Sequence, residues 1–78
     1  MITPEQCRMG RAALNWTARD LADAAKVGIN TVTRFEAGAE ALMSTAQKLQ
    51  RALEKAGVDF IAEDGGGPGV RLKRKAKR

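Results

Sequence analysis

Apolar residues recur every three or four positions along most of this chain and every second position near its C-terminal end. Thr3-Pro4-Glu5-Gln6 opens the first helical stretch with a threonine able to cap, a proline suited to the first helical position and a glutamine that completes a capping box. A helix over about Pro4–Leu14 follows, with Cys7, Gly10 and Leu14, widened by Ala13, as its buried stripe and Arg8 and Arg11 beside it. Asn15 and Trp16 break the pattern. Thr17, with Asp20 as its acidic partner, caps a second helix over Ala18–Ala25 that turns Leu21, Ala22 and Ala25 inward. Trp16 is expected to pack over the start of that helix. After Val27-Gly28 a third helix, about Ile29–Glu36, carries Val32 and Phe35 inward and stops at Gly38. A further capping box, Ser44 with Gln47, predicts a fourth helix with Leu49, Ala52, Leu53 and Ala56 at core spacing, ended by Gly57.

Beyond Gly57 the alternating pattern of Val58-Asp59-Phe60-Ile61 and of Val70-Arg71-Leu72 reads as two short strands joined by a glycine-rich loop, a β-hairpin. That loop lacks the Gly-Lys-Ser/Thr ending and following helix of a phosphate cradle. The expected fold is mainly α: a four-helix domain over 1–57, a C-terminal β-hairpin over 58–72 that can serve for dimerisation, and a basic tail over 73–78 expected to be disordered when unbound.

Composition narrows the chemistry. The 78 residues make one small domain, and a 44% hydrophobic content with 4% aromatics gives it an aliphatic core. With no histidine and one cysteine, imidazole catalysis, Cys/His zinc sites and an internal disulfide all lack their parts. Cys7 reads as a small core residue, because no base is placed to activate it. No enzyme, metal or cofactor is expected. The net charge is +5, but six of the fourteen Lys and Arg fall in the last eight positions, leaving eight basic against nine acidic residues before them. No run is apolar enough to span a bilayer and no secretory leader is visible, so a cytoplasmic protein without a membrane partner is expected.

The second and third helices are joined by a turn too short for an antiparallel pair, so they must cross steeply. Leu21, Ala22, Ala25, Val27, Val32 and Phe35 supply the buried face of such a crossing, and Gly28, Ile29, Asn30, Thr33 and Arg34 are left to project from the third helix. This is the geometry of a DNA-reading helix-turn-helix.

At this point the sequence resembles the phage-repressor-like helix-turn-helix family of the Cro/Xre type, found in small bacterial and phage transcription regulators. Asn15-Trp16-Thr17, Asp20-Leu21-Ala22, Thr31-Val32 and Arg34-Phe35-Glu36-Ala37-Gly38 carry the resemblance, over about residues 4–56. It implies that the third helix enters the major groove, with Gly28, Ile29, Asn30, Thr33 and Arg34 facing the bases. Asn30 suits adenine and Arg34 suits guanine. Thr17 and the backbone at Ala18 would hold a phosphate, with Lys26 nearby. The family pairs a first-helix arginine with the glutamate ending the third helix, here Arg11 and Glu36. The turn position usually held by glycine is Lys26, which must then adopt a positive φ.

Arg71, Lys73, Arg74, Lys75, Lys77 and Arg78 offer sequence-independent phosphate contacts. The resulting expectation is a sequence-specific transcriptional regulator, such as a repressor, bound as a homodimer to a palindromic operator and hence to the nucleoid. Val58, Phe60, Ile61, Val70 and Leu72 are the dimer candidates. An alternative keeps the fold but uses the third helix, centred on Ile29, to hold a regulatory protein partner.

Overall fold

Four helices, α1 (Pro4–Leu14), α2 (Ala18–Ala25), α3 (Ile29–Glu36) and α4 (Met43–Lys55), precede an antiparallel hairpin of β1 (Val58–Ile61) and β2 (Gly69–Leu72). The computed structural model describes residues 2–62 and 65–73. Arg74, Lys75, Lys77 and Arg78 lie outside the described residues.

Helices α1 and α2 begin on the two capping boxes read from the sequence. The Thr3 hydroxyl accepts the Gln6 amide and Gln6 Oε1 accepts the Thr3 amide, both at 3.0 Å. Thr17 and Asp20 repeat the exchange at 3.1 and 2.9 Å. The box expected at Ser44 does not form. Leu42 is the N-cap of α4, without a side-chain cap, and its carbonyl already accepts from Thr45 and Ala46 at 3.0 and 3.1 Å. The helix thus starts two residues early, and Ser44 has no extended backbone from which to cap it. Ala56, past the end of α4, is exposed, and the small core residue of this helix is Ala46 instead.

The first two helices end without glycine. Asn15 (φ 60°) and Lys26 (φ 61°) are left-handed, and the amides that follow, Trp16 and Val27, donate back to Arg11 and Ala22 carbonyls at 2.8 and 3.0 Å. A side chain in this region costs roughly 1 kcal/mol. Lys26→Gly is therefore expected to raise the unfolding free energy by about 0.5–1 kcal/mol in urea denaturation. A fall in stability would contradict strain at this turn.

Cys7, Leu21, Val32, Leu49, Leu53 and Val58 are the fully buried centre of the core. Helix α2 packs mainly on α3 and α4, while α1 lies across α3, α4 and the hairpin. Gly10 permits that close approach: a Cβ there would sit 3.3 Å from Leu53 Cδ1 and 3.6 Å from Val58 Cγ1.

The hairpin pairs Val58 with Leu72, Asp59 with Arg71, Phe60 with Val70 and Ile61 with Gly69, so β2 starts one residue earlier than its sequence pattern suggests. The Lys73 amide donates to the Gly57 carbonyl at 2.7 Å, which places its backbone with the hairpin. Gln6 ties this unit to α1. Only 4% exposed, it donates through Nε2 to the carbonyls of Ile61 and Gly69, both at 3.0 Å. Val58 is buried, and Phe60 and Val70 pack against the core. Val58 therefore has no side-chain surface to offer a second copy.

Candidate nucleic-acid interface

Helix α3 turns Val32, Phe35 and Glu36 inward and leaves Asn30, Thr33 and Arg34 exposed, with Gly28 exposed at its N-cap. Thr33 Oγ1 donates to the Asn30 carbonyl at 3.1 Å. The Asn30 amide group and the Arg34 guanidinium have no partner among the described residues, so both are available to an outside acceptor. Ile29 departs from the outward projection read from the sequence: it is half-buried and packs against the core. A helical side chain leans toward the N-terminus, and from the first position of α3 that direction is the α2–α3 turn, where Val27 also packs. Asn30, Thr31 and Arg34 line a cleft of about 310 Å³ with Glu40 and Ala41 of the following loop and Thr45 of α4. Glu40 thus brings a carboxylate to the edge of the exposed α3 face.

The start of α2 offers a second set of donors. Its capping box consumes the Thr17 amide and the Thr17 hydroxyl's acceptor role, but the hydroxyl keeps its own proton. The amides of Ala18 and Arg19, at the first two helical positions, have no intrahelical acceptor and suit an anion. Asp20 places a negative charge at the same end. Exposed Arg19 lies one residue away, a cation at a helix start that the sequence reading passed over. Lys26 is exposed at the turn and Lys73 at the end of the hairpin. Arg71 is engaged across the strands by Asp59 at 2.9 Å, an exposed pair worth no more than about 1 kcal/mol.

The far end of α3 is clamped to α1. Arg11 Nε and Nη2 donate to the two carboxylate oxygens of Glu36, each at 2.7 Å, and Arg11 Nη1 reaches the Trp16 carbonyl at 3.2 Å. Arg8 Nη1 donates to the Glu36 carbonyl, a cation on the C-terminal end of the α3 dipole. The Glu36 side chain is 8% exposed, so its charge is held by these partners rather than by water. The hydrogen bond to Glu36 strengthens proton binding by the Arg11 guanidinium.

Cys7 Sγ donates to Glu36 Oε2 at 3.2 Å. Burial pushes the thiol well above its ordinary value of 9.0, and the hydrogen bond and charge of Glu36 push it further, against smaller opposing effects of Arg11 and Arg8. The unfolded thiol loses its proton first as pH rises. Stability is therefore intact below about pH 9 and falls above it, by at most about 1.4 kcal/mol per pH unit from this group. Cys7→Ala should flatten that decline in urea denaturations between pH 8 and about pH 10.5, and an unchanged slope would assign it to other groups.

Among the described residues, no group of three or more His, Cys, Asp or Glu can hold a metal ion, and no helix is long and apolar enough to cross a membrane. Among curated proteins, none matches the chain. The helix-turn-helix family of the Cro/C1 type matches residues 8–60, from the arginine on the Glu36 carbonyl to the third residue of β1. With α2, the turn at Lys26 and α3 all inside that match, the chain belongs to the Cro/C1-type helix-turn-helix family of DNA-binding regulators.

Proposed function

We propose that this chain is a sequence-specific regulator of transcription that reads duplex DNA with α3 in the major groove. The observation that carries the reading is the face of α3: Asn30 and Arg34, four residues apart and one helical turn from each other, are exposed and unpaired. Both side chains have the donor and acceptor geometry for bidentate contact with adenine and guanine respectively. Thr33 borders them, and Gly28 allows close approach of the backbone. Thr17, Ala18 and Arg19 receive one phosphate at the start of α2, Lys26 lies at the turn, and Arg71 and Lys73 with the residues beyond them add contacts that do not depend on sequence. The half-burial of Ile29 reduces the apolar projection that, with the acidic loop at Glu40, motivates the protein-holding alternative.

One such module makes few base contacts, and a two-fold pair doubles them on a palindrome with half-sites about 34–36 Å apart. The hairpin is the proposed contact between copies. Leu72, 46% exposed, and the half-buried Ile61 are its apolar residues with surface to spare, whereas Phe60 and Val70 mostly face their own core. Selection of bound duplexes from a randomised pool, followed by sedimentation of the complex on the selected site, tests the whole reading. It should return a palindromic motif bound by two chains. Binding to every sequence alike would overturn specific readout, and one chain per site would overturn the dimer alone.

A further inference from the structure

A shallow groove of about 200 Å³ runs between the end of α2 and the second half of α4. Its floor is Ala24, Ala25 and Ala52, and its rim is four cations: Lys26, Lys48, Arg51 and Lys55. All four are exposed, and none of their side chains has a hydrogen bond or ion pair to a described residue. The first 70 residues hold eight basic groups against nine acidic ones, so half of their positive charge is gathered on this one groove. No neighbouring acid forms an ion pair with the rim. Glu54 accepts from Gln50 at 3.1 Å and shares an adjoining cleft with Arg51, Met43 and Gln47, and the Asp23 carboxylate is exposed.

We propose that this groove holds an acidic segment of a protein partner, so that the chain contacts a second macromolecule while α3 is engaged. The groove shares no residue with the cleft beside Asn30 and Arg34. Lys48, Arg51 and Lys55 lie three, six and ten residues along α4 from Thr45, where that cleft ends, or about 4.5, 9 and 15 Å of helix rise. At physiological ionic strength the Debye length is about 8 Å, so Arg51 and Lys55, at the far end of the row, add little to the attraction of phosphates at α3. Lys48, Arg51 and Lys55 follow one another at three and four residues, a single row along α4, with Lys26 facing them from the end of α2. A helical or extended segment with carboxylates at matching intervals completes three ion pairs along that row. The alanine floor has room for one apolar side chain between them, which a sugar-phosphate backbone does not carry.

The probe is a synthetic helical peptide with glutamates at matching three- and four-residue spacing and one leucine on the same face. It is titrated into the full chain with and without duplex DNA, and backbone amide signals are followed by NMR. Because the basic C-terminal segment attracts the same peptide, the titration is repeated on the full-length variant Arg74→Gln, Lys75→Gln, Lys77→Gln and Arg78→Gln. The expected shifts centre on Ala24, Ala52, Arg51 and Lys55, persist in that variant and persist with DNA bound. Arg51→Gln with Lys55→Gln, both exposed and outside the core, should weaken peptide binding at least tenfold while changing the affinity for DNA less than threefold and leaving the thermal midpoint unchanged. Shifts confined to the C-terminal segment, or no saturable binding, would overturn the proposal. So would a tenfold loss of DNA affinity in the double variant, which would make the groove a phosphate contact.

Discussion

Arg11→Met is expected to lower the unfolding free energy by about 3–5 kcal/mol, because it strips the bidentate partner from a carboxylate with almost no access to water. A chain of this length has a total stability of roughly 4–12 kcal/mol, so the variant should be close to unfolding. Two further contacts make the loss larger than that of a surface pair. Glu36 would keep the Cys7 thiol but lose its charge balance, and the Trp16 carbonyl would lose its Arg11 donor. Removing the charge on both sides, in Arg11→Met with Glu36→Gln, should recover a substantial part of the loss, since no buried charge then stands alone. Urea denaturation of the two variants reads both numbers. A cost below about 1 kcal/mol for Arg11→Met would mean that α3 is held by its apolar face alone, through Val32 and Phe35.

Loss of base discrimination is the second large effect. Arg34→Ala and Asn30→Ala should each weaken binding to a selected site by about 1–3 kcal/mol, roughly 5- to 150-fold, and relax the preference at one base pair per half-site. Neither side chain touches the core, so thermal stability should not move. Neutralising Arg74, Lys75, Lys77 and Arg78 should do the opposite, weakening selected and scrambled sites alike. If all four meet phosphates, the salt slope should become shallower by up to about 3.6 units per chain. Equilibrium titrations at several salt concentrations separate the two behaviours. An alanine variant at position 30 or 34 that weakened both kinds of site equally would assign that residue to the backbone.

Local patterns made the helices legible. The capping boxes at Thr3 and Thr17, the glycines after α3 and α4, and the positive φ at Lys26 each follow from a few neighbouring residues, and the structure contains them. Ser44 shows the limit of the same rule: its spacing to Gln47 is right, but the backbone had turned helical at Met43. What the sequence concealed is mostly long-range. The second role of Gln6 depends on carbonyls 55 and 63 positions away, and nothing local marks a glutamine as the anchor of a hairpin. The half-burial of Ile29 depends on how α3 sits over the core, and the basic groove exists only once α4 lies along α2. The exposed face of α3 was legible at Gly28, Asn30, Thr33 and Arg34 because helical period alone separates them from Val32 and Phe35.

If that face of α3 sets specificity, changing its side chains changes the selected DNA, and a second selection reads this out. Duplexes bound by the wild-type chain would be compared with those bound by a chain carrying Asn30→Gln, Thr33→Asn and Arg34→Gln, changes confined to exposed positions of α3. A changed motif is expected at the base pairs nearest α3, with half-site spacing and overall salt dependence preserved. The same motif recovered from both chains would contradict that expectation, because the bases would then be read by some other part of the molecule.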